Sequence, residues 1–190
     1  MRPFHLFPIV VLAGVLMGLV VQATVAQTSS THVHTSKSAR LKSPKLSLKP
    51  QPIGTFGDWT AATRVEAGQP ECYSFTRPIS SEPALPDRGD VFFTIAESAK
   101  LRDSVALTAG FVYPTGAEVA VNVGKDKFDF YSSGRSAFAR DGAALIAAFG
   151  KGDDATVISP ARKGTSVTDH FSLKGFSAAM KAVLAECPSK

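Results

Sequence analysis

The feature of this sequence that most constrains its fold is a short-range alternation of apolar and polar residues that begins near residue 53. Runs such as DVFFTIAE, EVAVNV and TSVTDHFSL place an apolar residue at every second position. A period of two is typical of strands that bury one face. About nine such runs are separated by turn residues, which predicts a mainly β, antiparallel sandwich-like or barrel-like single domain.

Two segments depart from this period and are predicted to be helices. DGAALIAAFGKG indicates a short internal helix, with Asp141 as its N-cap and Gly150 or Gly152 at its end. In GFSAAMKAVLAECP, helical spacing aligns one stripe of residues before Pro188 ends the helix, namely Phe176, Met180, Val183, Leu184 and Cys187. We expect both helices to be peripheral to the sheet.

The N-terminal part of the chain has a different composition. Residues 7–21 are uninterrupted by any polar side chain and precede the small-residue stretch QATVAQ, which predicts a signal peptide over residues 1–26. An uncleaved anchor is the alternative, because the run approaches the length of a spanning helix. Residues 27–50 are rich in Ser, Thr and Lys, and we predict a disordered basic tail. Residues 51–190 are left as the folded domain.

The distribution of charge limits the classes of partner. The formal net charge is +5, but residues 51–190 contain 15 Lys and Arg against 16 Asp and Glu. A nucleic-acid-binding domain would show a basic excess of its own, so we predict no nucleic-acid partner. Membrane contact is expected only through the signal segment or the basic tail.

The folded region contains two cysteines, Cys72 and Cys187. An exported chain enters an oxidising compartment, so we predict a disulfide that ties the C-terminal helix to an early strand. The alternatives are a nucleophilic thiol and a metal ligand. A thiol nucleophile would need an electropositive setting, whereas Glu186 is the neighbour of Cys187.

The folded region offers few candidates for catalysis. Its one histidine, His170, falls on the polar side of a predicted strand, and no Gly-x-Ser-x-Gly motif is present. Asp169 falls on the apolar side, where a carboxylate must be paired, or could cap a turn or the last helix. We therefore predict no catalytic residue, no metal site and no cofactor. A hydrolase that uses scattered carboxylates is the enzymatic alternative.

Residues 78–90, PISSEPALPDRGD, form the longest predicted loop of the domain. Loops of this kind often contact other molecules. We predict a contact surface here that includes Pro78, Glu82, Pro83 and Arg88.

Three segments together resemble the invasion-associated locus B family of alphaproteobacteria. They are GTFGDWTA, CYSFTRPISSEP and TSVTDHFSLKGFSAAMKAVLAECP, and the resemblance extends over about residues 53–188. Trp59 belongs to the opening motif, and Asp169, Gly175 and Phe176 belong to the closing motif. The resemblance implies structural roles for these four residues.

The resemblance also implies an exported all-β protein with no known enzymatic activity. Founding members of the family are linked to entry of a pathogen into host erythrocytes. We therefore expect a periplasmic, envelope-associated or secreted monomer that binds an unknown protein, envelope or host-surface partner, in the manner of a virulence factor. A structural or stress-protective component of the envelope is the alternative function.

Overall fold

The computed structural model describes residues 49–188. The predicted signal peptide, nearly all of the predicted tail and the membrane contact expected through them lie outside the described residues and stay predictions. The described chain forms eleven strands, two α-helices and a short 3-10 helix at Arg162–Gly164. The strands are β1 Gln51–Phe56, β2 Trp59–Glu66, β3 Gln69–Thr76, β4 Ser80–Glu82, β5 Phe92–Ser98, β6 Ser104–Thr108, β7 Glu118–Val123, β8 Asp126–Ser133, β9 Ser136–Ala139, β10 Asp154–Pro160 and β11 Ser166–Ser172. The helices are α1 Gly142–Phe149 and α2 Phe176–Glu186.

The strands form one antiparallel, unclosed sheet in the order β1-β2-β3-β5-β6-β9-β8-β7-β10-β11-β4. Its two halves face each other, because Phe93 of β5 meets Phe171 of β11 with ring centroids 5.3 Å apart. The predicted mainly β, sandwich-like fold is confirmed. The expected strand number is too low, since β1 and β4 lack the alternation by which the other nine were recognised.

The core lies between the two halves of the sheet and beneath the helices. Its largest fully buried rings are those of Trp59, Phe93, Phe130 and Phe171, and Phe149 of α1 packs against them. Edge-to-face contacts dominate, which is the arrangement that aromatic quadrupoles favour.

Both helices lie where the sequence predicted them. The Asp141 side chain caps α1 by accepting a hydrogen bond from the Ala144 backbone N–H, and Gly150 ends the helix. In α2, Phe176, Met180 and Val183 are buried. Leu184 was expected on the same stripe, but it is 42% exposed because it lies at the margin of the helix face that contacts β1 to β3.

A disulfide joins Cys72 of β3 to Cys187 at the end of α2, with a Cα–Cα distance of 5.9 Å. This confirms the predicted pairing. Persistent disulfides are features of oxidising compartments, so the bridge is consistent with an exported protein.

No helix among residues 49–188 is long and apolar enough to cross a membrane.

Candidate binding surface

The opening and closing motifs meet at one junction in the structure. Trp59 is fully buried, and its indole N–H donates a 3.0 Å hydrogen bond to the Ser172 carbonyl oxygen. The Asp58 backbone N–H donates to the Lys174 carbonyl oxygen, also at 3.0 Å. Phe176 packs edge-on against Trp59, with centroids 4.9 Å apart. The two motifs are therefore two sides of one contact between the start and the end of the domain.

Glycines make this junction possible. Gly175 has φ 92°, and a Cβ there would overlap the Phe56 carbonyl oxygen. A Cβ on Gly57 would lie 2.6 Å from the Lys174 carbonyl oxygen. The two backbone segments can approach this closely only without side chains at these positions.

Asp169 is fully buried in β11 and forms a bidentate pair with Arg88. Both Arg88 Nη atoms donate to the carboxylate at 2.7 Å, and the Ser81 hydroxyl donates to it at 2.6 Å. The paired carboxylate agrees with the sequence argument, but the suggested capping role is wrong. Asp169 lies within β11, whereas Gly175 begins α2 without a side-chain cap.

Arg88 therefore departs from its expected place in a contact surface. Its side chain is only 8% exposed, because it reaches inward from the 78–90 segment to Asp169. Its Nε also donates to the Ala109 carbonyl oxygen at 2.8 Å. The other three predicted contact residues stay near the surface: Pro78 is half-buried, and Glu82 and Pro83 are exposed. Part of the segment is not loop, since β4 pairs with β11.

Two buried groups have altered proton affinities. Burial raises the pKa of Tyr113 to about 12. A hydrogen bond with Ser159 and the charge of Arg88 oppose this rise, whereas the charge of Asp169 adds to it. Burial also raises the pKa of Glu97, although Arg102 lies 2.9 Å from its carboxylate. Both groups point into the protein, so neither is available to a substrate at the surface.

His170 lies on the outer face of β11, where its Nδ1 is 3.2 Å from the Thr156 hydroxyl. Within residues 49–188, no group of three or more His, Cys, Asp and Glu side chains is placed to hold a metal ion. The polar residues that the sequence singled out do not converge on a reactive centre.

The outer face of the sheet carries a partly exposed row of aromatic residues, which we name the aromatic face. On one side Tyr73, Phe75 and Phe92 contact one another, with neighbouring centroids 5.9 Å apart. On the other side Tyr131 and Phe138 pair, with centroids 5.5 Å apart. All five are half-buried or exposed and point away from the core.

Small side chains separate the two aromatic groups. The register places Phe75 opposite Thr94, Thr94 opposite Ala106, and Ala106 opposite Phe138. Phe75 and Phe138 are thus three strands apart, or about 14 Å at the usual strand spacing. The aromatic face is consequently a strip of small residues with rings along both sides.

Arginines lie over the rings at the margins of this face. Arg64 lies 5.2 Å from the Tyr73 centroid, Arg77 lies 4.2 Å from that of Phe92, and Arg140 lies 5.7 Å from that of Tyr131. Each also pairs with a carboxylate, so the margin presents both signs of charge. The side chains are held in place by these contacts before any partner arrives.

This face was not predicted from the sequence, although the sequence contains a signal for it. Tyr73 and Phe75 alternate with Cys72, Ser74 and Thr76. Since Cys72 forms a buried disulfide, its side of β3 must face the core. The two aromatic residues must then point outward.

Residues 59–184 match the invasion associated locus B (IalB) protein family. The chain belongs to this family. A crystal structure of invasion associated protein B from Bartonella henselae has a similar fold, with a TM-score of 0.50 and 18% sequence identity. The similarity covers 70% of this chain and 95% of that chain. No curated protein matches the chain significantly.

The family match includes residues of the junction between the opening and closing motifs. The matched region begins at Trp59 and extends through Asp169, Gly175 and Phe176. In this chain these residues join the start and the end of the domain, while the aromatic face lies on its outside.

Proposed function

We propose that this IalB family protein is an exported, non-enzymatic binding protein that attaches to a protein partner in the cell envelope or on a host surface. The aromatic face is its contact surface, and the observation that carries the proposal is the outward placement of five aromatic rings with arginines above three of them. Tyr, Phe and Arg are enriched at the centres of protein interfaces.

The environments of the two most deeply buried acidic residues fit a structural role rather than catalysis. Asp169 and Glu97 are the most deeply buried carboxylates, and each faces an arginine. A general acid or base must reach its substrate, which these side chains cannot do. The rings of the aromatic face, in contrast, are accessible and preorganised, so little side-chain entropy is lost when a partner binds.

The test is capture of partners by the immobilised protein from envelope extracts and from solubilised host-cell membranes. The informative variant combines Phe75→Ser, Phe92→Ser and Phe138→Ser. We expect its affinity for a specifically captured protein to fall by about 30-fold or more, the loss typical of interface hot spots.

The matched control is Ile158→Ser, which removes an exposed apolar side chain from the outer face of β10. It should capture the same protein as the unmodified chain, and circular dichroism should show that both variants are folded. Equal capture by the triple variant, or no specific protein captured by the unmodified chain, would contradict the proposal.

A further inference from the structure

Helix α1 presents a second unusual surface. Its sequence, GAALIAAF, contains no polar side chain, yet the helix lies at the surface. Leu145 and Phe149 are buried, whereas Ala143, Ala144 and Ala147 are exposed. The outward face of a surface helix is ordinarily polar or charged. An exposed face made only of alanine therefore needs an explanation.

An open hollow of about 750 Å³ lies between α1 and the β7–β8 hairpin. Ala144 and Ala147 line its helical side, and Lys125, Lys127 and Lys151 surround it. We call these five residues the α1 patch. Among the described residues, Asp126 is the only acid that lines the hollow, against three lysines.

The three lysines are available for an external anion. They form no ion pair with any residue in the described part of the chain, whereas the arginines of the aromatic face all do. Residues 51–190 as a whole contain one more acidic than basic residue, so the domain has no general excess of positive charge. The lining of the hollow thus carries a basic excess that the domain as a whole lacks.

We propose that the α1 patch docks on the surface of an anionic lipid bilayer. Lysines around an exposed apolar helix face match such a surface, because the ammonium groups meet the headgroup phosphates while the methyl groups enter the headgroup boundary. Because the alanine side chain is short, the helix inserts only shallowly into the bilayer. The affinity therefore depends mainly on the attraction between the lysines and the anionic headgroups. A protein partner on the aromatic face and a bilayer at the α1 patch are separate contacts, and this inference does not rest on the proposed function.

The test is a local fluorescence measurement on the full chain. An environment-sensitive NBD label is attached through Ala147→Cys, and vesicles of equal parts phosphatidylcholine and phosphatidylglycerol are added. We expect a blue shift that weakens as salt is raised, because salt screens the attraction. Vesicles of phosphatidylcholine alone should cause little change. The same label attached through Lys181→Cys, on α2, should not respond.

Charge-matched variants separate the patch from the general basicity of the chain. We expect the combined variant Lys125→Gln, Lys127→Gln and Lys151→Gln to need about 100-fold more lipid for half of the blue shift at position 147. This corresponds to about fivefold for each lysine. Lys100→Gln, Lys174→Gln and Lys181→Gln remove the same charge elsewhere and should leave it nearly unchanged.

Three results of the vesicle experiments would overturn the proposal. They are the absence of a blue shift at position 147 with anionic vesicles, an equal shift with both vesicle types, and equal effects of the two triple variants. Inorganic phosphate provides a further control. If it abolished the shift at concentrations too low to screen charge, the patch would be a small-anion site and not a bilayer contact. Attachment of the chain through its N-terminal region would not favour position 147 over position 181, so the comparison of the two labels distinguishes it from docking of the α1 patch.

Discussion

At the scale of single residues, the Arg88–Asp169 pair explains how a charge can occupy the apolar side of a strand. The carboxylate accepts three hydrogen bonds from Arg88 and Ser81, which compensate for the loss of water. The pair also ties the 78–90 segment to the sheet. The need for a partner followed from the alternation in β11, but Arg88 lies 81 positions away, and no local pattern connects the two residues.

We predict that Asp169→Asn destabilises the domain by about 3–5 kcal/mol, because it leaves the buried Arg88 charge without its counter-ion. Urea denaturation would measure this. The variant should also lower the pKa of Tyr113 from about 12, since the Asp169 charge contributes to the rise and Arg88 opposes it. The absorbance of tyrosinate during alkaline titration would report this second effect.

Glu118→Gln is the matched control, because it breaks the exposed pair between Glu118 and Arg140. Exposed pairs contribute about 0–1 kcal/mol, so this variant should resemble the unmodified protein. If both variants had the same stability, the buried pair would not have the structural role assigned to it.

At the scale of elements, the β11–α2 connection is the most demanding local geometry. Leu173 and Lys174 lead from the strand to Gly175, whose positive φ turns the chain into α2 beside Phe56. This arrangement places Trp59, Phe149 and Phe176 in mutual contact. The helix therefore packs correctly only if the glycine junction closes.

We predict that Gly175→Ala is far more destabilising than Gly116→Ala. Both positions have positive φ, so both substitutions carry a backbone penalty of about 1–2 kcal/mol. A Cβ at position 116 meets no atom within 4 Å, whereas one at position 175 overlaps the Phe56 backbone. Thermal and urea unfolding would compare them, and equal losses would show that the close approach is unimportant.

The elements also show which parts of the fold a sequence can predict. Long alternating runs such as β5 and β7 bury every second residue, so their period is visible. β4 has only three residues and owes its strand geometry to pairing with β11, which is a tertiary contact. The outward direction of Tyr73 and Phe75 also depends on a tertiary contact, because the disulfide at Cys72 shows which side of β3 faces the core.

At the scale of the whole molecule, the disulfide and α2 close the domain. The bridge spans 115 positions, and α2 contributes Phe176, Ala179, Met180 and Val183 to the core. The helix and the bridge therefore act together, but they stabilise by different means. The bridge restricts the unfolded chain, whereas the helix buries apolar surface.

We predict that Cys72→Ala with Cys187→Ala lowers the free energy of unfolding by about 4–5 kcal/mol, the chain-entropy value for a loop of this length. Truncation after Gly175 should cost more, because it removes the bridge and the four buried side chains as well. Urea denaturation of the three proteins, with and without reductant, tests the ranking. A truncated protein as stable as the double cysteine variant would show that α2 packing adds nothing.

One consequence of the disulfide concerns the ends of the domain. Gln51 at the start of β1 and Cys187 after α2 line the same small hollow. The polypeptide therefore enters and leaves the folded body at one pole. A linker that joined these two points would make the backbone effectively circular, and new termini could then be opened at an exposed hairpin turn without changing the order of strands in the sheet. Cargo fused directly before Gln51 or directly after Cys187 would project from that same pole.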